Sequence, residues 1–162
     1  MALRRTFTHN APAFTLLEVL IVMAIFIMVA GFGLFVSLDT FRGYSFRNER
    51  DVVVSVLNKA RSQSINNMCF GTSCTDGKAH GVYFGVAGNY VVFQGASYAT
   101  RDTALDEVVA ASHKGATVTG TSEVVFAPLS AVVASPATIT VTADSHSSVI
   151  TVGTEGQVVW TH

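Results

Sequence analysis

Residues 14–38 read FTLLEVLIVMAIFIMVAGFGLFVSL, an apolar run with one charge, Glu18. As helix, a stretch of this length covers about 37 Å, enough to cross a hydrocarbon core of about 30 Å. A cleavable secretory signal has a shorter apolar core and a small-residue cleavage site after it. Val36-Ser37-Leu38 is a poor site of that kind, and with no cysteine beside the run a lipoprotein is not indicated either. Arg4 and Arg5 precede the run, which places the N-terminus in the cytoplasm and the rest of the chain outside. A carboxylate in a spanning helix is costly, about 2.5–3.5 kcal/mol at mid-membrane. Two readings of Glu18 follow. Either it sits near the headgroups and is solvated, or it awaits a positive partner inside the membrane.

The run Pro12-Ala13-Phe14-Thr15-Leu16-Leu17-Glu18-Val19-Leu20 resembles the class III signal of type IV prepilins. That pattern is a short basic leader, a small residue, then Phe-Thr-Leu-x-Glu and a long apolar helix. The resemblance implies cleavage between Ala13 and Phe14 by prepilin peptidase, with N-methylation of Phe14. It makes Glu18 the fifth residue of the mature chain, the assembly glutamate that meets the terminal amine of a neighbouring subunit. Opposite charges in a low dielectric offset each other's desolvation only when they meet. The family usually has Gly before the cut, where this chain has Ala13.

Beyond Leu38 the helical period continues in amphipathic form. Phe46, Val53, Leu57, Ala60 and Ser64 share one face, with Arg47, Glu49, Arg50, Asp51, Lys59 and Arg61 assigned to polar faces. Asn66-Asn67 and Gly71 mark the end. Gly31, Gly33 and Gly43 fit either close helix packing in lipid or local unwinding. From Ala79 the period becomes two. Strands are expected at 80–86, 89–94, 123–126, 137–142, 148–152 and 157–160, with Ala87-Gly88, Ser145-His146-Ser147 and 153–156 as turns. Ser97 to Lys114 reads as a polar loop or edge segment.

The expected fold is therefore α+β: a long N-terminal helix, transmembrane then amphipathic, packed on a C-terminal antiparallel β-sheet head, as in pilins. The divisions are a leader at 1–13, a filament-core helix at 14–38, its amphipathic continuation at 39–67 and a head at 68–162. The head order resembles the GspH/FimT-type branch, the H-type minor pseudopilins and related minor pilins. The residues carrying this are Ala60-Arg61-Ser62-Gln63-Ser64-Ile65, the stretch from Gly77-Lys78 to Val82-Tyr83-Phe84, and the stretch from Ser148-Val149-Ile150-Thr151-Val152 to Gly156-Gln157-Val158. It implies a single-pass protein of the inner (cytoplasmic) membrane with a periplasmic or extracellular head. Its partners would be other pilins or pseudopilins, met through the N-terminal helix, and prepilin peptidase.

Cys69 and Cys74 lie outside the cytoplasm in this topology, where a local disulfide is the simplest reading. A zinc site with His80 lacks a fourth ligand, and two free thiols are the third possibility. His9, His80, His113, His146 and His162 show no metal-ligand spacing and read as surface or turn residues. Gly71 to Lys78 resembles a phosphate loop only superficially, because its spacing is wrong and Ala79 stands where Ser or Thr is needed. Neither a catalytic motif nor a cofactor site is indicated, so the chain does not read as an enzyme. Losing Arg4 and Arg5 turns the formal charge of −1 into −3. A mildly acidic chain is a poor trap for nucleic acid. A competing reading, a minor pilin that captures DNA, would need a basic patch of Lys78, Arg101 and Lys114. Adhesion and pilus initiation are further roles open to such a subunit.

Overall fold

The computed structural model describes residues 15–72, 74–86 and 88–161, with the side chains of 34–39 left aside. Ala13 and Phe14, the expected processing pair, lie outside the described residues, as do Ala87 of the expected first hairpin turn, His9 and His162. The chain divides into two compact units, residues 1–40 and 41–162.

Helix α1, Leu16–Ile65, is a single element of 50 residues. Its start is fixed by Thr15, whose Oγ1 accepts the Glu18 N–H at 3.3 Å. Its end is fixed by Asn67 in the left-handed conformation (φ 51°). There the Met68 N–H bonds to Gln63 O and the Asn67 N–H to Ser64 O, which satisfies carbonyls that the last turn would otherwise leave bare. The glycines leave α1 unbroken. A Cβ at Gly31, Gly33 or Gly43 would meet nothing within 4 Å, so no contact inside this chain requires them.

In the second unit the head holds eight strands in two four-stranded antiparallel sheets. The first is built from β1 (His80–Val86), β2 (Asn89–Gln94), β3 (Glu107–Ala110) and β5 (Glu123–Phe126), ordered β3-β2-β1-β5. The second contains β4 (Thr117–Gly120), β6 (Ala137–Ala143), β7 (His146–Val152) and β8 (Val158–Thr161), ordered β4-β6-β7-β8. One core joins α1 to both sheets. Phe46, Val53, Val56, Leu57 and Ala60 pack with Val82, Val92 and Phe126 of the first sheet and with Ile139, Val141 and Ile150 of the second.

The face expected of the amphipathic half is the one that is buried. Phe46, Val53, Leu57, Ala60 and Ser64 are each at most 4% exposed. Three expectations need correction. Glu49 and Arg50, assigned to polar faces, are buried. β4 arises from a stretch given no element, its positions mostly exposed, whereas β3, at the edge of the first sheet, falls in the segment read as loop or edge. His146 is the first residue of β7 rather than part of the turn, and the reversal is made by Asp144-Ser145, with Asp144 left-handed (φ 53°).

The central strands β1 and β2 are covered on both faces. On the outer side, Tyr98 of the loop after β2 stacks on Tyr83 with centroids 3.7 Å apart and meets Phe93 edge-on. Gly81 pairs with Phe93 across the ladder. A Cβ there would fall 2.9 Å from Phe93 Cε1 and 2.8 Å from Val124 O, so only glycine admits the ring.

Candidate functional site

The chemistry-bearing part of the first unit is its apolar helix surface. Leu16–Gly33 has a mean hydropathy of 2.6 and none of it is buried. Leu16, Phe26 and Phe32 are 81%, 67% and 72% exposed. Apolar surface on this scale in water is unfavourable by roughly 25 cal/mol per Å², so the stretch calls for lipid or other helices as its solvent. One apolar N-terminal helix of this kind fits a membrane-anchored protein.

Glu18 is the only ionisable side chain on this surface. Its place in the first turn of α1 sets it against the positive end of the helix dipole. Thr15 and Glu18 have the spacing of a capping box, of which the Thr15 half is formed. Among the described residues the Glu18 carboxylate accepts no hydrogen bond and joins no ion pair. Its carboxylate is thus open to a donor from beyond the described residues.

The second unit treats its helical glutamate in the opposite way. Glu49 is 0% exposed. Its Oε1 accepts from the Tyr90 hydroxyl on β2. Its Oε2 accepts from Ser112 Oγ and from the His113 backbone N–H, each at 2.7 Å. Three donors satisfy this buried carboxylate without a cation. Burial raises the Tyr90 pKa well above the ordinary phenol value, helped by the hydrogen bond to Glu49 and by its charge. This network locks α1 to β2 and to the segment between β3 and β4. The reading from sequence missed it, although Glu49 lies three residues from Phe46 and four from Val53. That spacing puts it on the buried face. Arg50 beside it lies 5.7 Å from the Trp160 ring and pairs with Asp51 at 2.7 Å.

Cys69 and Cys74 form a disulfide with Cα atoms 5.8 Å apart, an ordinary separation. The loop they close is fastened to β2 by one side chain. Gln94 Oε1 accepts the Phe70 N–H at 2.7 Å and Gln94 Nε2 donates to Phe70 O at 3.2 Å. Phe70 in turn meets the edge of His80, with centroids 5.6 Å apart.

His80 corrects the expectation of a surface histidine. It is 1% exposed, packed where the end of α1, the disulfide loop and β1 converge. Its Nε2 bonds to Met68 O at 3.0 Å and its backbone N–H donates to Ser64 Oγ at 3.0 Å. Ser64 Oγ donates onward to Phe126 O. Burial lowers the His80 pKa, and the Met68 carbonyl opposes this only in part.

No group of three or more metal-ligating side chains occurs among the described residues. Of the three cations that a DNA-capturing patch would need, Arg101 is already engaged. Arg101 is committed to Asp106 at 2.8 Å, to Tyr98 O at 2.6 Å and to the Tyr98 ring at 3.4 Å. A guanidinium held on three sides is not free for a phosphate.

Comparison with known proteins bears on the N-terminus alone. Residues 9–34 match the prokaryotic N-terminal methylation motif. No curated protein and no solved structure matches the chain. The motif supports a type IV pilin-like protein, pilin or pseudopilin, and with it processing by prepilin peptidase and assembly with other pilins. The α+β architecture agrees with a pilin-like fold.

Proposed function

We propose that this chain is an H-type minor pseudopilin or minor pilin, a structural subunit that serves a type II secretion pseudopilus or a type IV pilus. It enters the inner membrane by residues 14–38, with its N-terminus cytoplasmic and its head periplasmic. Prepilin peptidase cuts between Ala13 and Phe14 and methylates Phe14. The mature helix then joins a filament through apolar packing, with Glu18 meeting the terminal amine of a neighbouring subunit and setting register. Type IV pilin-like proteins are structural in general, and this role needs no reaction of the head.

The supporting observation is the Glu18 carboxylate, without a partner among the described residues, on an otherwise apolar and exposed helix surface. An amine from a sister helix gives that charge a partner, and the same contact removes apolar surface from its surroundings. In the head, Cys69–Cys74 and the Glu49 network hold the contact surface in one shape.

Mass spectrometry of the membrane form tests the processing step. The expected mature chain begins at N-methylated Phe14. An unmethylated terminus, or one at another residue, contradicts the proposal.

A further inference from the structure

The first turns of the second unit carry a feature that assembly through residues 14–38 leaves unused. Phe41 and Tyr44 are 70% and 72% exposed, among the most exposed large apolar residues of the head. Arg42 and Arg47 beside them are exposed, and neither joins an ion pair among the described residues. Phe46, Glu49, Arg50 and Val53 turn into the head. Phe41 and Tyr44, three apart, continue through Asn48 and Asp51 along the opposite side of α1. No described residue of the sheets covers this side, and Phe41, Tyr44, Ser45, Arg47, Asn48 and Asp51 line a shallow open groove on it.

Chain length says where this face lies. Between Glu18 and Asp39 stand 20 uncharged residues. At about 1.5 Å each they cover about 30 Å, the thickness of the hydrocarbon core. With Glu18 at one headgroup layer, Asp39 meets the other. Phe41 and Tyr44 follow Asp39 by only two and five residues, so chain connectivity alone keeps them close to that layer, which is about 5–7 Å deep. The long side chains of Arg42 and Arg47 carry their guanidiniums well away from the backbone. Aromatic rings with cations beside them are the composition that bilayer interfaces favour. Asp51 does not oppose this, since Arg50 neutralises it.

We propose that Phe41, Arg42, Tyr44 and Arg47 form a collar seated in the headgroups of an anionic phospholipid bilayer. The rings sit at the acyl boundary and the guanidiniums bind phosphate. The collar holds the start of the second unit at the headgroup layer in the unassembled subunit. Filament entry exchanges the lipid for other subunits. This inference rests on the membrane-anchored reading.

The test uses the full chain in phosphatidylcholine–phosphatidylglycerol vesicles. Trp160, the single tryptophan, is replaced (Trp160→Phe), and Tyr44→Trp or, separately, Phe41→Trp supplies the reporter. Lipids brominated near the headgroup should quench the reporter at least twofold more than lipids brominated deep in the chain. Quenching should rise with phosphatidylglycerol content and stay constant over a tenfold change in protein-to-lipid ratio. Adding Arg42→Gln and Arg47→Gln should remove the phosphatidylglycerol dependence. Absence of quenching in carbonate-resistant chain overturns the collar while the anchor stands. A signal that follows protein-to-lipid ratio alone assigns the face to a second copy and also overturns it. Chain released by carbonate overturns the collar and the anchor together.

Discussion

Glu18 and Glu49 stand on the same helix and live in opposite circumstances. Glu18 is exposed among exposed apolar side chains, with a carboxylate that no group among the described residues satisfies. Glu49 is sealed from solvent and met by three donors from two other parts of the head. The difference separates two uses of a helical carboxylate. In the proposed role, the first stays incomplete until a second molecule arrives, so its energy belongs to assembly. The other is complete within the fold, so its energy belongs to the head's stability and shape.

The comparison breaks if either glutamate does the other's work. The largest effect is expected from Glu18→Leu. Co-purification with partner subunits should fall at least tenfold, while the melting of the head stays unchanged. Wild-type incorporation of this variant would remove the assembly role. Glu49→Ala should act in reverse. It strands the Tyr90 hydroxyl, Ser112 and the His113 N–H, and should cost about 3 kcal/mol in denaturant unfolding of the detergent-solubilised chain. An unchanged midpoint would show that the network contributes only geometry.

Two smaller effects sharpen the contrast by probing the other end of α1. Reducing Cys69–Cys74 frees a short loop and should cost about 2 kcal/mol. The loss should be read as faster proteolysis around Phe70, because the Gln94 hydrogen bonds and the Phe70–His80 ring contact then hold the loop without a covalent link. The smallest effect is a pH dependence. Burial lowers the His80 pKa from its ordinary value of 6.5, so below that value the unfolded chain takes up a proton that the folded chain resists. Stability therefore falls as pH drops through 6.5 and is fully present above it. Unfolding midpoints at pH 7.5 and 5.5 should differ more in wild type than in His80→Gln, and equal slopes would deny His80 this role.

Much of the molecule can be read from local pattern. The amphipathic stripe from Phe46 to Ser64 is visible because burial on one side of a helix imposes its own spacing. The long strands β6 and β7 show the period of two in their buried positions, Ile139 and Val141 on one and Ile150 and Val152 on the other. β1 and β2 lie where the sequence changes to a period of two, although both of their faces are covered. Strands β3 and β4 are mostly exposed, so they leave no buried alternation, and they pair with the longer β2 and β6. His80 could not be placed from a lone polar residue between glycine-rich and apolar stretches, because its burial depends on Phe70 arriving from the disulfide loop.

What the amino-acid order alone determined is the anchor: an apolar helix long enough for a bilayer, one carboxylate near its start, cations ahead of it and a methylation motif around the junction. These follow from hydrophobicity, length and charge, which act locally and need no partner within the fold. Tertiary structure decided the rest. It divided the strands between two sheets, took Arg101 away from any phosphate, and made Glu49 a buried fastening instead of a surface charge. The physical reason is that solvation of a polar group is set by what folds over it. That depends on residues far away in sequence, as Tyr90 and Ser112 are from Glu49.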